Sequence, residues 1–151
     1  MKRILVPLDG SSTAEQALKL ALEEARLHEA ELIVLHAMSF PRDLMWLDHL
    51  PRPGEWAELA RTEAQDYMDR VRSRLSAQVP TRARLESGPP ARTIDAVARE
   101  EEADLIILAT HGRTGLLGGV ASKLLQLAPC PVLLVPIKPD QPMDKVFRGL
   151  C

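Results

Sequence analysis

Five short apolar segments recur along the chain, each separated from the next by a stretch with helical periodicity. They occupy residues 4–8, 32–37, 82–86, 105–109 and 132–135. All but 82–86 are nearly continuous in apolar residues, which is typical of strands buried on both faces. Strands that alternate with helices through short links are joined by right-handed crossovers and lie parallel. The pattern therefore predicts a three-layer α/β domain, an open five-stranded parallel sheet with helices on both faces.

The first helical pattern is the clearest of the four. Ser12 and Glu15 have the spacing of a capping box, and small apolar residues follow in one stripe from Ala14 to Ala25. A helix that starts at Ser12 and buries this stripe against the sheet is predicted. The other three helices are predicted over residues 55–77, from the prolines at 89–90, and over residues 119–128.

The chain is predicted to form one domain with a tail. Its 151 residues suit a single core, which we assign to residues 1–137. Residues 138–151 lack periodicity, and we expect this tail to be flexible or docked on a partner subunit. The proline-rich stretch 38–54 is long for a connection and is predicted to be a flap. Residues 25–37 and 98–110 match at seven of thirteen positions, through either duplication or a shared structural demand.

Charge and composition exclude several classes of function. The formal net charge of −2 gives no general attraction for nucleic acid or anionic membranes, so neither is expected as a partner. The first apolar segment is too short for a signal peptide and none approaches a membrane span, so a cytoplasmic protein is predicted. Cys130 and Cys151 form no disulfide framework, and Cys130 is predicted to be a small buried filler. The scattered histidines predict no metal site.

Four glycines, Gly112, Gly115, Gly118 and Gly119, precede the fourth helix. Ligands of open parallel sheets bind beyond the carboxyl ends of the strands, where the strand order reverses. Glycines there bring backbone N–H groups close to an anion at the positive end of a helix. A tight loop without a ligand explains the glycines equally well, and neither common phosphate-binding motif is present. A phosphate site before the fourth helix is therefore one of two interpretations.

Asp9, with Gly10 beside it, ends the first strand. Its carboxylate could accept hydrogen bonds from a ribose or an amino-purine, or it could be a turn or capping residue. His111 and Arg113 lie in the glycine loop, where they could contact phosphates or remain solvated. A hydrolytic triad of Ser11, His111 and Asp9 is disfavoured because nothing resembles a nucleophile elbow.

Four segments together resemble the universal stress protein family. They are Ile-Leu-Val-Pro-Leu-Asp-Gly-Ser from residue 4, Gly-Pro-Pro-Ala-Arg-Thr-Ile from residue 88, Ala-Asp-Leu-Ile-Ile-Leu-Ala-Thr-His-Gly-Arg-Thr-Gly-Leu from residue 103, and Ala-Pro-Cys-Pro-Val-Leu-Leu-Val-Pro from residue 128. The resemblance covers about residues 2–137. It implies strand order 3-2-1-4-5 and no secure enzymatic activity, with ATP bound in one branch of the family and not in another. It also implies a homodimer through the last strand, Val132, Leu133, Leu134 and Val135.

The ATP-binding branch carries G-x-x-G, nine residues, then G-[ST]. The matching positions here are Ala109, Gly112, Gly118 and Gly119, with only five residues between the two halves. One misplaced amide and a missing hydroxyl would weaken ATP binding about a hundredfold or more, so AMP or another adenosine compound also fits. The resemblance thus places the candidate nucleotide site at Pro7, Asp9, Ala37, Met38, Ala109, His111, Gly112, Arg113, Gly118, Gly119 and Val120.

Two functions remain open from the sequence. The first is a cytosolic homodimer that binds ATP, AMP or another adenine nucleotide, with or without Mg²⁺, in a regulatory rather than catalytic role. The alternative is a stress-response interaction dimer that binds no nucleotide because its phosphate loop is shortened. Slow ATP hydrolysis is a weaker third reading, since the sequence offers no identifiable base.

Overall fold

Strands and helices alternate throughout the described part of the chain. The structure is a computed structural model, and it describes residues 2–10, 14–38, 53–110 and 118–137. In chain order the elements are β1 (Arg3–Leu8), α1 (Gln16–His28), β2 (Glu31–Met38), α2 (Pro53–Ser76), β3 (Thr81–Ser87), α3 (Pro90–Glu100), β4 (Leu105–Thr110), α4 (Gly119–Leu127) and β5 (Val132–Pro136).

The five strands form one parallel sheet in the order β3-β2-β1-β4-β5. β1 lies at its centre, where Ile4 pairs with Leu32 of β2 on one side and with Leu105 of β4 on the other. Both the predicted parallel sheet and the strand order implied by the family resemblance are confirmed.

Helices cover the sheet on both faces, so alternate residues of each strand enter different cores. Ile4, Val6 and Leu8 pack in one core with buried residues of α1 and α2. Leu5 packs in the other core with buried residues of α3 and α4. A strand covered on both faces has no solvent-facing positions, and this explains the unbroken apolar segments.

Several predicted boundaries need correction. The weak segment 82–86 lies within β3, which spans Thr81–Ser87. The predicted flap is shorter at both ends, because Met38 is the last residue of β2 and α2 already begins at Pro53. The rest of that flap, residues 39–52, lies outside the described residues. The tail 138–151 lies outside them as well.

The capping-box prediction is wrong at Glu15. α1 begins at Gln16, so Glu15 occupies the N-cap position rather than the third residue of the helix, where a capping box needs it. No side-chain cap hydrogen bond forms at Glu15. Its carboxylate instead accepts a hydrogen bond from the Tyr67 hydroxyl on α2. Ser12 lies outside the described residues.

The internal sequence match corresponds to one repeated corner between a helix and a strand. Glu29 after α1 and Glu102 after α3 both have φ of 51°, in the left-handed region. The following amide closes each helix, with Ala30 N–H donating to the Ala25 carbonyl at 2.8 Å and Ala103 N–H to the Ala98 carbonyl at 2.9 Å. The shared residues therefore serve the same chain reversal before β2 and before β4.

The structure also bears on Cys130, on membrane-spanning helices and on metal-binding clusters. Cys130 is half-buried against the α3–α4 core, and burial raises the pKa of its thiol, in keeping with a filler role. Within the described ranges, no helix has the length and apolar content to cross a membrane. The same ranges hold no cluster of three or more His, Cys, Asp or Glu side chains that could bind a metal ion.

Candidate functional site

The strand order reverses next to β1. From β1 the chain moves outward to β2 and β3, and it then crosses back to β4 on the opposite side of β1. In open parallel sheets, ligands bind beyond the carboxyl ends of the strands at such a reversal, which here lies between β1 and β4. Ile4 pairs with Leu105 and Leu5 with Ile106, so the carboxyl ends of β1 and β4 point to the same edge of the sheet.

Asp9 and Gly10 form the exit from β1 at this edge. Both residues are exposed, and Gly10 has φ of 84°, a conformation that side-chain-bearing residues rarely adopt. The turn directs the chain away from the sheet while it leaves the Asp9 carboxylate at the carboxyl edge. Burial is the largest cause that raises the pKa of both Glu15 and Tyr67, and the negative charge of Asp9 adds to it.

The start of α4 supplies uncovered backbone amides at the same edge. Gly118 is the N-cap residue, with φ of −60° and ψ of 158°, and as a glycine it has no side chain that could cap the helix. Among the described residues, no atom lies within 4 Å of a Cβ atom built on Gly118 or Gly119. The first N–H groups of a helix have no partner within the helix and carry partial positive charge. These amides are therefore candidate hydrogen-bond donors to an anion.

A polar cluster lies on the α1–α2 side of the carboxyl edge. The Tyr67 hydroxyl donates to Glu15 Oε1 at 2.9 Å, and the Tyr67 ring packs edge-to-face on the His36 ring with centroids 6.3 Å apart. His36 Nδ1 lies 2.9 Å from the Leu8 carbonyl oxygen, one residue before Asp9. Because a carbonyl oxygen only accepts, His36 donates from Nδ1.

The structure places the predicted site residues that it describes near one edge of the sheet. Those residues lie late in β1, at the ends of β2 and β4, or at the start of α4, and they are Pro7, Asp9, Ala37, Met38, Ala109, Gly118, Gly119 and Val120. Pro7 and Met38 are buried, whereas Asp9, Gly119 and Val120 are exposed. His111, Gly112 and Arg113 lie outside the described residues. Their roles, and the contact of all these residues with a nucleotide, stay predictions.

The sequence reasoning missed the cluster of Glu15, Tyr67 and His36. Tyr67 falls on the apolar stripe of α2 and is assigned to the core by spacing alone. The spacing of Glu15 could have indicated its burial. It lies three residues before Leu18 and seven before Leu22, which is the spacing of the buried face of α1. A carboxylate on an apolar stripe indicates a buried polar partner.

The predicted interface strand β5 forms one edge of the sheet. Val132, Leu134 and Val135 are half-buried, and Leu133 is 37% exposed. The single protomer thus leaves apolar side chains on an open edge strand.

The strand order and the helices on both faces define a doubly wound α/β domain whose strand order reverses between β1 and β4. The model of the universal stress protein family matches residues 1–136. The chain is 37% identical over 142 residues to a universal stress protein of Thermus aquaticus, an alignment that covers 89% of this chain and 98% of that one. It is 33% identical over 142 residues to universal stress protein MJ0531 of Methanocaldococcus jannaschii, with 89% and 81% covered. The chain belongs to the universal stress protein family.

Solved structures agree with this assignment. A universal stress protein family member from Burkholderia pseudomallei superposes with a TM-score of 0.73 at 32% identity, over 89% of this chain and 96% of that one. Two more distant structures, each 22% identical, share the fold with TM-scores of 0.65 and 0.67. The first is a universal stress protein in complex with cAMP, and the second is that of Archaeoglobus fulgidus in complex with dAMP.

Proposed function

We propose that this universal stress protein is a homodimer that binds an adenine nucleotide between β1 and β4 and acts by regulation rather than catalysis. The observation that carries the proposal is the glycine pair at the start of α4, whose Cβ positions no described atom approaches within 4 Å, at the carboxyl edge where Asp9 follows β1. The cytoplasmic location stays a prediction from the sequence.

The backbone itself does not require glycine at the start of α4. Gly118 has a φ that any residue adopts, and no described atom lies within 4 Å of a Cβ atom built on Gly118 or Gly119. Glycine is accepted at an N-cap such as Gly118, but inside a helix, as at Gly119, it costs about 1 kcal/mol relative to alanine. A glycine at 119 that no described neighbour requires therefore favours the approach of another molecule to the backbone amides.

The described residues suggest how a nucleotide would be held. Amides of Gly118 and Gly119 would donate to a phosphate at the positive end of α4. The Asp9 carboxylate would accept hydrogen bonds from the ribose hydroxyls. His111 and Arg113 are proposed as further phosphate contacts, on the sequence alone. The remaining proposed contacts, which line the edge, are Pro7, Ala37, Met38, Ala109, Gly112 and Val120.

The shortened loop favours a nucleotide with few phosphates. Only five residues separate Gly112 from Gly118, where the ATP-binding pattern has nine. The cAMP and dAMP bound by two distant relatives each carry a single phosphate, which makes AMP-like ligands the first to test, with ATP and Mg²⁺ beside them. We propose a regulatory role because the sequence pattern identifies no residue as a base for phosphate transfer.

A second candidate is an interaction dimer that binds no nucleotide. Ala109 stands where the ATP-binding pattern has glycine, and Gly119 stands where it has serine or threonine. Each change removes a feature of the phosphate site, and this observation favours the alternative.

Thermal unfolding with and without AMP, cAMP, ADP and Mg-ATP separates the two candidates. A ligand at a hundred times its Kd stabilises the native state by about 2.7 kcal/mol, which raises the Tm by roughly 5–10 °C for a domain of this size. Millimolar ligand without any shift would exclude nucleotide binding.

Gly118→Val tests the location of the site. No described atom lies within 4 Å of a Cβ atom at Gly118, so the unliganded Tm should change little, while the ligand-induced shift should fall because valine would occupy the space over the amides. Gln126→Val, on the exposed surface of the same helix, is the matched control and should keep the full shift. An undiminished shift in Gly118→Val would place the phosphate elsewhere.

A further inference from the structure

Glu15 is a buried carboxyl group that the proposed nucleotide site does not use. The residue is 2% exposed and immediately precedes α1. Its Oε1 accepts from the Tyr67 hydroxyl at 2.9 Å, and its Oε2 has no hydrogen-bond partner among the described residues. A buried carboxyl oxygen without a partner is costly, and the cost is larger when the group is ionised. The environment therefore distinguishes strongly between the two protonation states of Glu15.

Contacts run from Glu15 to the exit of β1. Tyr67, which bonds Glu15, packs edge-to-face on His36 with an interplanar angle of 72°. His36 in turn donates from Nδ1 to the Leu8 carbonyl at 2.9 Å. Leu8 is the last residue of β1 and is followed by Asp9. The cluster thus connects α2 and β2 with the turn that carries the proposed ribose-binding carboxylate.

The surroundings of Glu15 shift its pKa in both directions. Burial raises its pKa, the Tyr67 hydrogen bond and Arg74 lower it, and Asp9 raises it. Tyr67 responds in parallel, since burial and Glu15 raise the pKa of its hydroxyl and Arg70 lowers it. Burial is the largest of these effects on Glu15, and the net pKa shift is upward.

We propose that Glu15, Tyr67 and His36 form a proton-dependent link between the Asp9 turn and helix α2, so that ligand occupancy of the edge site and protonation of Glu15 influence each other. The part of this proposal that concerns ligand binding rests on the proposed function. Glu15, Tyr67 and His36 act as positioning residues and do not contact the ligand themselves.

The sign of the coupling follows from charge. An anionic ligand beside Asp9 adds negative potential near Glu15 and favours its protonated form. Binding is reciprocal, so protonation of Glu15 must strengthen the binding of that anion by the same factor. Affinity for an anionic nucleotide should therefore fall as the pH rises through the pKa of Glu15.

Tyr67 offers a direct reporter, because it is the one tyrosine of the chain. Incorporation of 3-fluorotyrosine gives a single ¹⁹F resonance next to the Glu15 carboxyl. We expect this resonance to titrate with a midpoint above the ordinary range of glutamate, and the titration to disappear in Glu15→Gln. Glu23→Gln, an exposed glutamate of α1, is the matched control and should retain it. A resonance that does not titrate, or that titrates unchanged in Glu15→Gln, would overturn the link.

The ligand half is tested with cAMP, whose phosphodiester carries one charge throughout the neutral range. Its affinity for the wild-type protein should fall by about fivefold or more across the ¹⁹F midpoint, and Glu15→Gln should abolish this dependence. Tyr67→Phe keeps the ring but removes the hydrogen bond that lowers the pKa of Glu15, so its affinity profile should move to higher pH. Parallel profiles in wild type and Glu15→Gln would refute the coupling. Failure of cAMP and AMP to bind at any pH would refute the proposed function, and the ¹⁹F titration would then decide on the proton-dependent cluster alone.

Discussion

Two glutamates hold a backbone conformation that is unfavourable for residues with a side chain. Glu29 has φ of 51° after α1, as does Glu102 after α3. The left-handed conformation costs roughly 1–2 kcal/mol for an L-residue, and glycine avoids this cost. Glu102 also lies 3.9 Å from Arg3 in an ion pair, so Glu29 is the simpler position to change.

We expect Glu29→Gly to stabilise the protein by about 0.5–1 kcal/mol, because relief of the left-handed strain exceeds the added entropy of the unfolded chain. Urea unfolding at equilibrium measures the difference. Glu29→Ala keeps the Cβ and should give no comparable gain. Equal stability of the glycine and alanine variants would show that the Cβ of residue 29 is not the source of strain.

Individual residues of the candidate site can be located from the sequence only where a local pattern marks their position in the fold. Asp9 and Gly118 stand at the end of an apolar strand and at the start of a helix, positions that the sequence marks directly. Glu15 was assigned to a capping box, because its spacing from Ser12 fits that motif. Its actual partner, Tyr67, is 52 residues away on α2. Hydrogen bonds across such a distance depend on how helices pack, which one-dimensional spacing does not encode.

At the scale of elements, an ion-pair network attaches the end of α3 to the β2–β3 edge. Arg82 bonds Glu31 of β2 and Glu101 after α3, each at 2.6 Å, and Arg84 bonds Glu101 at 3.1 Å. The Glu101 side chain is 13% exposed, so water weakens its two ion pairs less than it would at an open surface. The hydrogen bond from Arg82 is the largest cause that lowers the pKa of Glu101, and Arg84 adds to it.

This network predicts a pH-dependent contribution to stability. The pKa of Glu101 is lower in the folded than in the unfolded protein, so the contribution is complete above the ordinary glutamate pKa and is lost as the pH falls through the folded value. Glu101→Gln should destabilise the protein by about 1–2 kcal/mol near neutral pH and by much less near pH ~3. Urea unfolding at both pH values tests this, with exposed Glu63→Gln of α2 as the control. Equal losses at both pH values would contradict an ionic origin. The raised pKa of Glu15 changes the free energy of unfolding with pH in the opposite direction to Glu101. The contribution of Glu101 is therefore measured on its own variant and not on the wild-type pH profile.

The elements differ in how well the sequence reveals them. β1, β2 and β4 lie inside the sheet and are covered on both faces, so each carries a nearly continuous run of apolar residues. β3 lies at an edge, and Arg82, Arg84 and Glu86 interrupt its apolar pattern. Strand order did not follow from periodicity, because periodicity reports which faces are covered and not which strands are neighbours. The order came from the family resemblance, which the sheet pairing confirms.

The whole molecule has two unlike sheet edges. β3 presents Arg82 and Arg84, and charged side chains on an edge strand discourage pairing with another chain. β5 presents Leu133 at 37% exposure, with Leu125 of α4 at 45%. Among the described residues no strand pairs with the outer side of β5, and an apolar edge strand favours association, so we propose that the homodimer forms through β5 and not through β3.

Leu133→Lys tests whether the dimer forms through β5. Since Leu133 is already partly exposed in a single protomer, the substitution should change the stability of the folded chain by no more than about 0.5–1 kcal/mol. A lysine opposite its own copy would, however, bring like charges together on an edge that otherwise pairs apolar side chains. Sedimentation velocity should therefore show a dimer for the wild type and a monomer for Leu133→Lys. Leu27→Lys makes the same chemical change on α1, where Leu27 is 73% exposed, and should remain dimeric. A monomeric wild type would refute the dimer, and a dimeric Leu133→Lys would move its interface away from β5.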